Sequence, residues 1–321
     1  MEENESFEIA KGDLDGLMAR YSHVRRWVED FEAQHGTRPY FYGPLDRGAK
    51  SIEPRNLIYS LKPPLFAHIY KPPDDDEQGA GTTLWFGIEP VLNEEEEVIR
   101  QEIVDRLLRD APSAPSFTSD SEFEGILEGM IERMTTTSSS VIQADSVIGP
   151  AMEFLGLGES SISVNEEQLE RLKYIIIRDL VKSGPLEALL SDEQLEDIHS
   201  VGLRYINMDH KVFGMVTSNI RFRDREVLAR YLRSMSERIG RPVSDSKPII
   251  DGALLDGSRI NIIFSDDVSM LGPSFTIRKF AEETISVIQL IKWGTMSAQQ
   301  AAYIWLGLEN GMSLLVSGET A

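Results

Sequence analysis

From Gly184 onward the hydrophobic pattern changes period, and that change constrains the fold more than any single residue. Before it, apolar residues recur at spacings of three and four, the period of a helix with one buried face. Leu14, Leu17, Met18, Tyr21, Val24, Trp27, Val28 and Phe31 predict a helix over 14–31. Asn165 or Ser163 caps a second, over Glu166–Val181, with Leu169, Leu172, Ile175, Ile176 and Leu180 on one face. After Gly184 come short alternating runs closed by Gly, Pro, Asn and Asp, the signature of half-buried strands. Strands are predicted near 198–202, 204–207, 214–216, 220–222, 255–263 and 274–280. A single helix over 224–239 turns Val227, Leu228, Tyr231, Leu232 and Met235 inward. Short strands packed on a helix make an α+β domain.

The first 183 residues are mixed. Residues 65–70 and 82–88 read as strands, and Asn93 as the N-cap of a helix running to about Arg109. Glu94–Glu97 fall in the first turn of that helix, where the macrodipole favours anions, so this glutamate run has a structural reason. Residues 110–121 have linker composition, 123–134 return to helix, and 135–140 read as a polar break. Helix then resumes to about Phe154, and 156–163 form another break. Beyond 280, helices are predicted at 284–293 and 297–309. The apolar run 313–317 follows as a buried strand leading into Gly318-Glu319-Thr320-Ala321. A strand running into Gly-x-x-x occupies the first four of the eight positions of a phosphate-binding P-loop.

Composition narrows the chemistry. The absence of cysteine excludes disulfides and thiolate metal sites. The five histidines lack H-x-x-x-H spacing, so no histidine metal centre is expected. A net charge of −21 opposes nonspecific duplex binding, although Arg221, Arg223, Arg225, Arg230, Arg233, Arg238 and Arg241 concentrate positive charge locally. No apolar run reaches the roughly 20 residues of a membrane span, and the acidic start at Glu2-Glu3 is unlike a secretory leader. A cytoplasmic protein is the expectation.

Several ordered segments resemble a known family: 189–199 (LLSDEQLEDIH), 238–244 (RIGRPVS), 251–261 (DGALLDGSRIN), 273–280 (PSFTIRKF) and 290–295 (LIKWGT), followed by the apolar run into Gly318. Together they are similar to the type II/type IV secretion ATPases, particularly the archaeal branch serving secretion, pilus and archaellum assembly. The resemblance is strongest over 184–321, weaker over 60–183 and silent before 60. It implies an adaptor-like α+β region at 1–110, a linker with helices at 111–183 and a PAS-like domain at 184–283. A hinge at 284–296 and the first helix and strand of a RecA-like domain at 297–321 follow. Such an ATPase binds ATP with Mg²⁺, forms a homo-hexamer and works against a polytopic platform protein of the cytoplasmic membrane, with no specific nucleic acid expected. The Mg²⁺-binding positions of the P-loop and the catalytic acidic residues would lie beyond Ala321.

Residue by residue, the resemblance implies that Arg259 and Arg278 reach the nucleotide phosphates as the catalytic cations, with Arg241, Gly318, Glu319, Thr320 and Ala321 on the nucleotide and Arg238 a further candidate. A guanidinium suits this work because it stays charged and offers paired donors. The competing reading of Arg259 and Arg278 is an ordinary surface pair with Asp256 or Glu282. Gly294 reads either as the hinge or as a helix stop, and Glu196, Asp197 and His199 as a structural turn. Two other functions stay open: a regulatory docking module without catalysis, and a conjugative DNA-transport relative.

Overall fold

A computed structural model describes residues 13–43, 45, 47–73, 81–113, 115–137, 161–254, 256–265, 267–280 and 286–318. The chain forms two compact units, Met1–Lys279 and Phe280–Ala321. It is mixed α+β, dominated by one large mixed sheet.

The first unit opens with α1 (Leu14–Arg20) and α2 (Ser22–His35) rather than the single helix predicted. Tyr21 is extended between them, and its ring packs edge-on against Phe66 at 5.1 Å. Strands β1 (Tyr40–Phe41), β2 (Asn56–Ser60), β3 (Phe66–Tyr70) and β4 (Thr83–Ile88) follow. Val24 and Val28 of α2 cover one face of these strands through Ile58, Phe66 and Ile88. The other face carries Tyr59, Ala67, Ile69 and Trp85 into the main core, so β3 is buried along its whole length.

Helices α3 (Glu94–Asp110) and α4 (Asp120–Met134) come next. Asn93 accepts from the Glu96 amide while Glu96 accepts from Asn93, a reciprocal capping box. Residues 135–137, predicted as a break, instead form β5 (Thr135–Thr137), paired in parallel with β6 (Ile162–Val164). Three consecutive β-branched threonines favour that extended backbone. The helix predicted toward Phe154 lies outside the described residues. Asn165 then caps α5 (Glu166–Leu180), again with a capping box. Ile103, Leu107, Leu127, Ile131, Leu172 and Ile176 join α3, α4 and α5 into a core of their own.

The rest of the unit is α6 (Glu187–Ser191), β7 (Leu195–Val201), β8 (Asn207–His210), β9 (Gly214–Ser218), α7 (Arg225–Arg238), β10 (Ile249–Ala253), β11 (Arg259–Ile263) and β12 (Ser274–Arg278). All ten strands outside the β5–β6 pair share one sheet, in the order β1-β2-β3-β4-β9-β8-β7-β12-β11-β10. The parallel β4–β9 pairing makes the sheet continuous between the strands of 1–110 and those of 184–283. Residues 220–222, predicted as a strand, form none; Phe222 is buried in the main core. Helix α7 buries Leu228, Leu232 and Met235 but leaves Val227 exposed, because 227 lies about 100° around the helix from 228.

Strands β7–β12 have one covered and one open face. Ile198, Met208, Val216, Ile260 and Ile277 alternate into the core. Their neighbours form polar rows across the strands on the other side, the usual state of a solvated antiparallel face.

The second unit holds α8 (Val287–Lys292) and α9 (Ala298–Glu309), capped by Ser286 and Ser297. Residues 313–317 are neither a strand nor buried; Leu315 is 93% exposed. A strand needs a neighbour to take its backbone hydrogen bonds, and the described residues of this unit supply none.

Candidate functional site

Register places the two leading arginines directly opposite each other. Arg259, the first residue of β11, faces Arg278, the last of β12, and Arg278 in turn faces Asp197 of β7. Beyond Asp197, in the same row, stands Asp209 of β8. Like charges opposed across a strand pair are unfavourable, and the row compensates only one of them. Arg278 donates Nε to Asp197 Oδ1 at 3.1 Å and Nη2 to Oδ2 at 3.3 Å. Arg259 is exposed and has no ion-pair partner among the described residues.

The carboxylate nearest in sequence is already committed. Asp256 accepts from the Ser258 amide at 3.0 Å and from its hydroxyl at 2.8 Å, closing the turn before β11. Glu282, the other anion considered, lies outside the described residues.

The remaining candidates are placed as follows. Arg241 is exposed and donates to the Asp251 carbonyl of β10 at 2.8 Å, on the strand beside β11. Arg238 donates to the carbonyls of Val181 and Lys182, closing the C-terminal end of α5. Its role is structural. Gly318 is exposed, with nothing that a Cβ would meet; Glu319, Thr320 and Ala321 lie outside the described residues. Gly294 has φ +71°. Its amide reaches Ile291 O at 3.0 Å and the Thr295 amide reaches Leu290 O at 3.0 Å, the pattern of a glycine that ends a helix.

Asp197, His199 and Asp209 bring ligand atoms within 4.8 Å of one another on the open face. His199 Nε2 lies 3.6 Å from Asp209. The Arg278 guanidinium already sits on Asp197, so this cluster carries its own cation.

Sequence reasoning missed a buried polar network. Asp192 is wholly buried. Its Oδ2 accepts from the Tyr59 hydroxyl at 2.5 Å and from Trp85 Nε1 at 2.9 Å, and its Oδ1 from the Gln194 amide at 2.9 Å. His210 Nδ1 accepts from the Val212 amide at 3.0 Å, which leaves Nε2 to face Tyr59 Oη at 3.3 Å as the donor. Lys279, at the end of the first unit, donates to the Asp192 and Leu189 carbonyls. Burial lowers His210 to about 4 and Lys279 to about 8, and raises the Tyr59 phenol. The network joins β2 and β4 to the elements of residues 184–283. Tyr59 and Trp85 lie 133 and 107 residues from Asp192, which is why no local signal announced it.

No protein-family model matches the chain. It is similar to three uncharacterized proteins of Methanocaldococcus jannaschii. One is 41% identical over 314 residues, 98% of this chain and 55% of that protein. The second is 33% identical over 144 residues, 44% of this chain and 19% of the relative. The third is 32% identical over 109 residues, 34% and 43% respectively. The chain thus spans about half the length of the first of these relatives. Among solved structures, the VirB11 ATPase from the Brucella suis type IV secretion system, in complex with sulphate, aligns over 40% of each chain at 18% identity, with a TM-score of 0.30.

Proposed function

We propose that this chain is the N-terminal part of a hexameric ATPase that drives protein secretion or the assembly of a pilus-like filament. The reading is supported first by the order of the segments at 189–199, 238–244, 251–261, 273–280 and 290–295. The single structural observation that carries it is Arg259: an exposed guanidinium, uncompensated in a row where its neighbour Arg278 holds Asp197.

The fit to ATP is partial. Arg259 is free to contact a phosphate oxygen, whereas Arg278 must first leave Asp197. Arg241 keeps donor capacity beyond its one bond to the Asp251 carbonyl. The amides of a phosphate cradle are not among the described residues, so Gly318 stands only as the first position of the loop. When bound, ATP with Mg²⁺ supplies the transferable phosphoryl group. Arg259 then serves as the cation that offsets charge on the phosphates during transfer. Assembly into a homo-hexamer and work against a membrane platform protein belong to the same proposal. No helix among the described residues is long and apolar enough to cross a membrane.

Equilibrium binding of a fluorescent ATP analogue with Mg²⁺ tests the reading, in a protein extended over the full length of the 41%-identical relative. Arg259→Ala is expected to weaken binding by about tenfold, the loss of one charge-assisted pair, and Arg278→Ala by less. A folded extended protein that binds no nucleotide would replace this reading with that of a docking module.

A further inference from the structure

The chain carries 53 carboxylates against 32 lysines and arginines. In such excess, an exposed arginine without an acidic partner is the unexpected state, and α7 gathers several. Residues 221–241 hold seven arginines and three carboxylates. Arg238 and Arg241 are committed to backbone carbonyls. Arg221 lies over the Tyr205 ring and Arg233 over Phe264. Arg223 and Arg230 are exposed, and none of these last four has a carboxylate in ion-pair range among the described residues. Val227, between Arg223 and Arg230 on the same side of α7, is 42% exposed.

The opposite imbalance occurs at α3 and α4, where residues 89–137 hold 13 carboxylates and four arginines. On α3, Glu95, Val98, Glu102, Asp105 and Leu108 recur at spacings of three and four, so they share one face. That face is exposed, and it includes two large apolar side chains, Val98 at 69% and Leu108 at 67%. Neither apolar residue has a reason to face water on a helix whose other side packs in a core through Ile103 and Leu107.

We propose that the arginine face of α7 docks on the acidic face of α3 in a second copy of this chain, head to tail. The faces match in sign and in kind: each offers exposed charge around exposed aliphatic groups, Val227 on one and Val98 and Leu108 on the other. Two different faces meeting make a heterologous contact, which repeats into a ring or an open chain. A phosphate-dense polymer or an anionic bilayer is the weaker occupant. A molecule of net charge −21 is repelled by an extended negative surface, whereas α3 presents its anions locally and in matching number. The inference stands on charge and exposure alone and needs no nucleotide, so it can fail while the ATPase reading holds, and the reverse.

Salt gives the association an optimum. At low ionic strength the net charges of two copies repel over tens of ångströms; near 0.1 M the screening length is about 10 Å, and only the local pairs count. Sedimentation velocity of this chain should show concentration-dependent self-association near 0.1 M salt that is lost at about 1 M. Two charge-reversed variants carry the test, each first checked for native circular dichroism and an unchanged melting transition. Arg223→Glu/Arg230→Glu should remain monomeric, as should Glu95→Arg/Asp105→Arg, because each then opposes like with like. Mixing the two should restore association at least tenfold over either alone, since the reversed α7 of one fits the reversed α3 of the other. A wild-type chain that stays monomeric at high micromolar concentration overturns the proposal. So does association untouched by both variants. Loss of binding to phosphatidylserine vesicles or to duplex DNA in the arginine variant, with no effect on self-association, assigns α7 to those ligands instead and equally overturns it.

Discussion

Replacing Asp192 by alanine should be among the most damaging single changes to this fold. The carboxylate is wholly buried and receives three donors: Tyr59 Oη and Trp85 Nε1 on one oxygen, the Gln194 amide on the other. Alanine strands the first two in the core, where each orphaned donor costs about 1–3 kcal/mol. Trp85 retains Tyr59 Oη at 3.2 Å as a second acceptor, which moderates its share. The void left by the carboxylate adds to the loss, so the expected cost is about 3–6 kcal/mol. Asparagine is not an innocent substitute, because donors already occupy both oxygens and its NH₂ must face one of them. Turned toward Gln194, which is only partly buried, it costs about 1–2 kcal/mol. Urea unfolding followed by tryptophan fluorescence and circular dichroism reads these differences, provided the two probes report one transition. At a slope of about 1–3 kcal/mol per molar, the alanine midpoint should fall by at least about 1 M. An alanine variant that loses under about 1 kcal/mol, or no more than asparagine, would show that water reaches the site and that the network does not hold the sheet.

Three further outcomes follow from named groups. Burial holds His68 near 3 and His210 near 4, while an unfolded chain titrates them at about 6.5. The unfolded state therefore takes up protons that the native state refuses, and stability falls as pH drops below about 6.5, by up to about 1.4 kcal/mol per pH unit for each imidazole. Urea midpoints at pH 7 and pH 5 should differ accordingly, His210→Gln should flatten the slope, and equal midpoints in the wild type would contradict the burial argument. Gly294→Ala meets open space but must keep φ near +71°, so it should cost about 1 kcal/mol, read as faster amide exchange at the end of α8. Unchanged exchange would remove the left-handed helix stop. Arg238→Met should cost about 1 kcal/mol by uncapping α5, while Arg241→Met, at an exposed carbonyl contact, should cost well under half of that in the same melts.

The elements legible in the sequence were those specified locally. Asn93, Asn165, Asp224 and Ser297 each cap the helix expected of them, because a cap needs only its own next three residues. Strands β3 and β4 were visible as apolar runs between turn residues. The parallel β4–β9 pairing was not, because nothing in either strand names its partner. Val227 was misplaced for a related reason: aliphatic character alone does not say which side of α7 meets the sheet. The terminal run 313–317 has strand composition without a strand's neighbours. At the site, the residue types of Arg259 and Arg278 were legible, but their mutual opposition and the capture of Arg278 by Asp197 exist only in the register of three strands.

The central claim is that Arg259 acts on a nucleotide phosphate, and ATP turnover tests it most directly. The protein extended over the length of its 41%-identical relative should hydrolyse ATP. Arg259→Ala should lower kcat by at least about tenfold, a modest loss beside those known for arginine fingers, while the nucleotide still binds. Turnover unchanged by the substitution would return Arg259 to an ordinary surface residue and contradict the account.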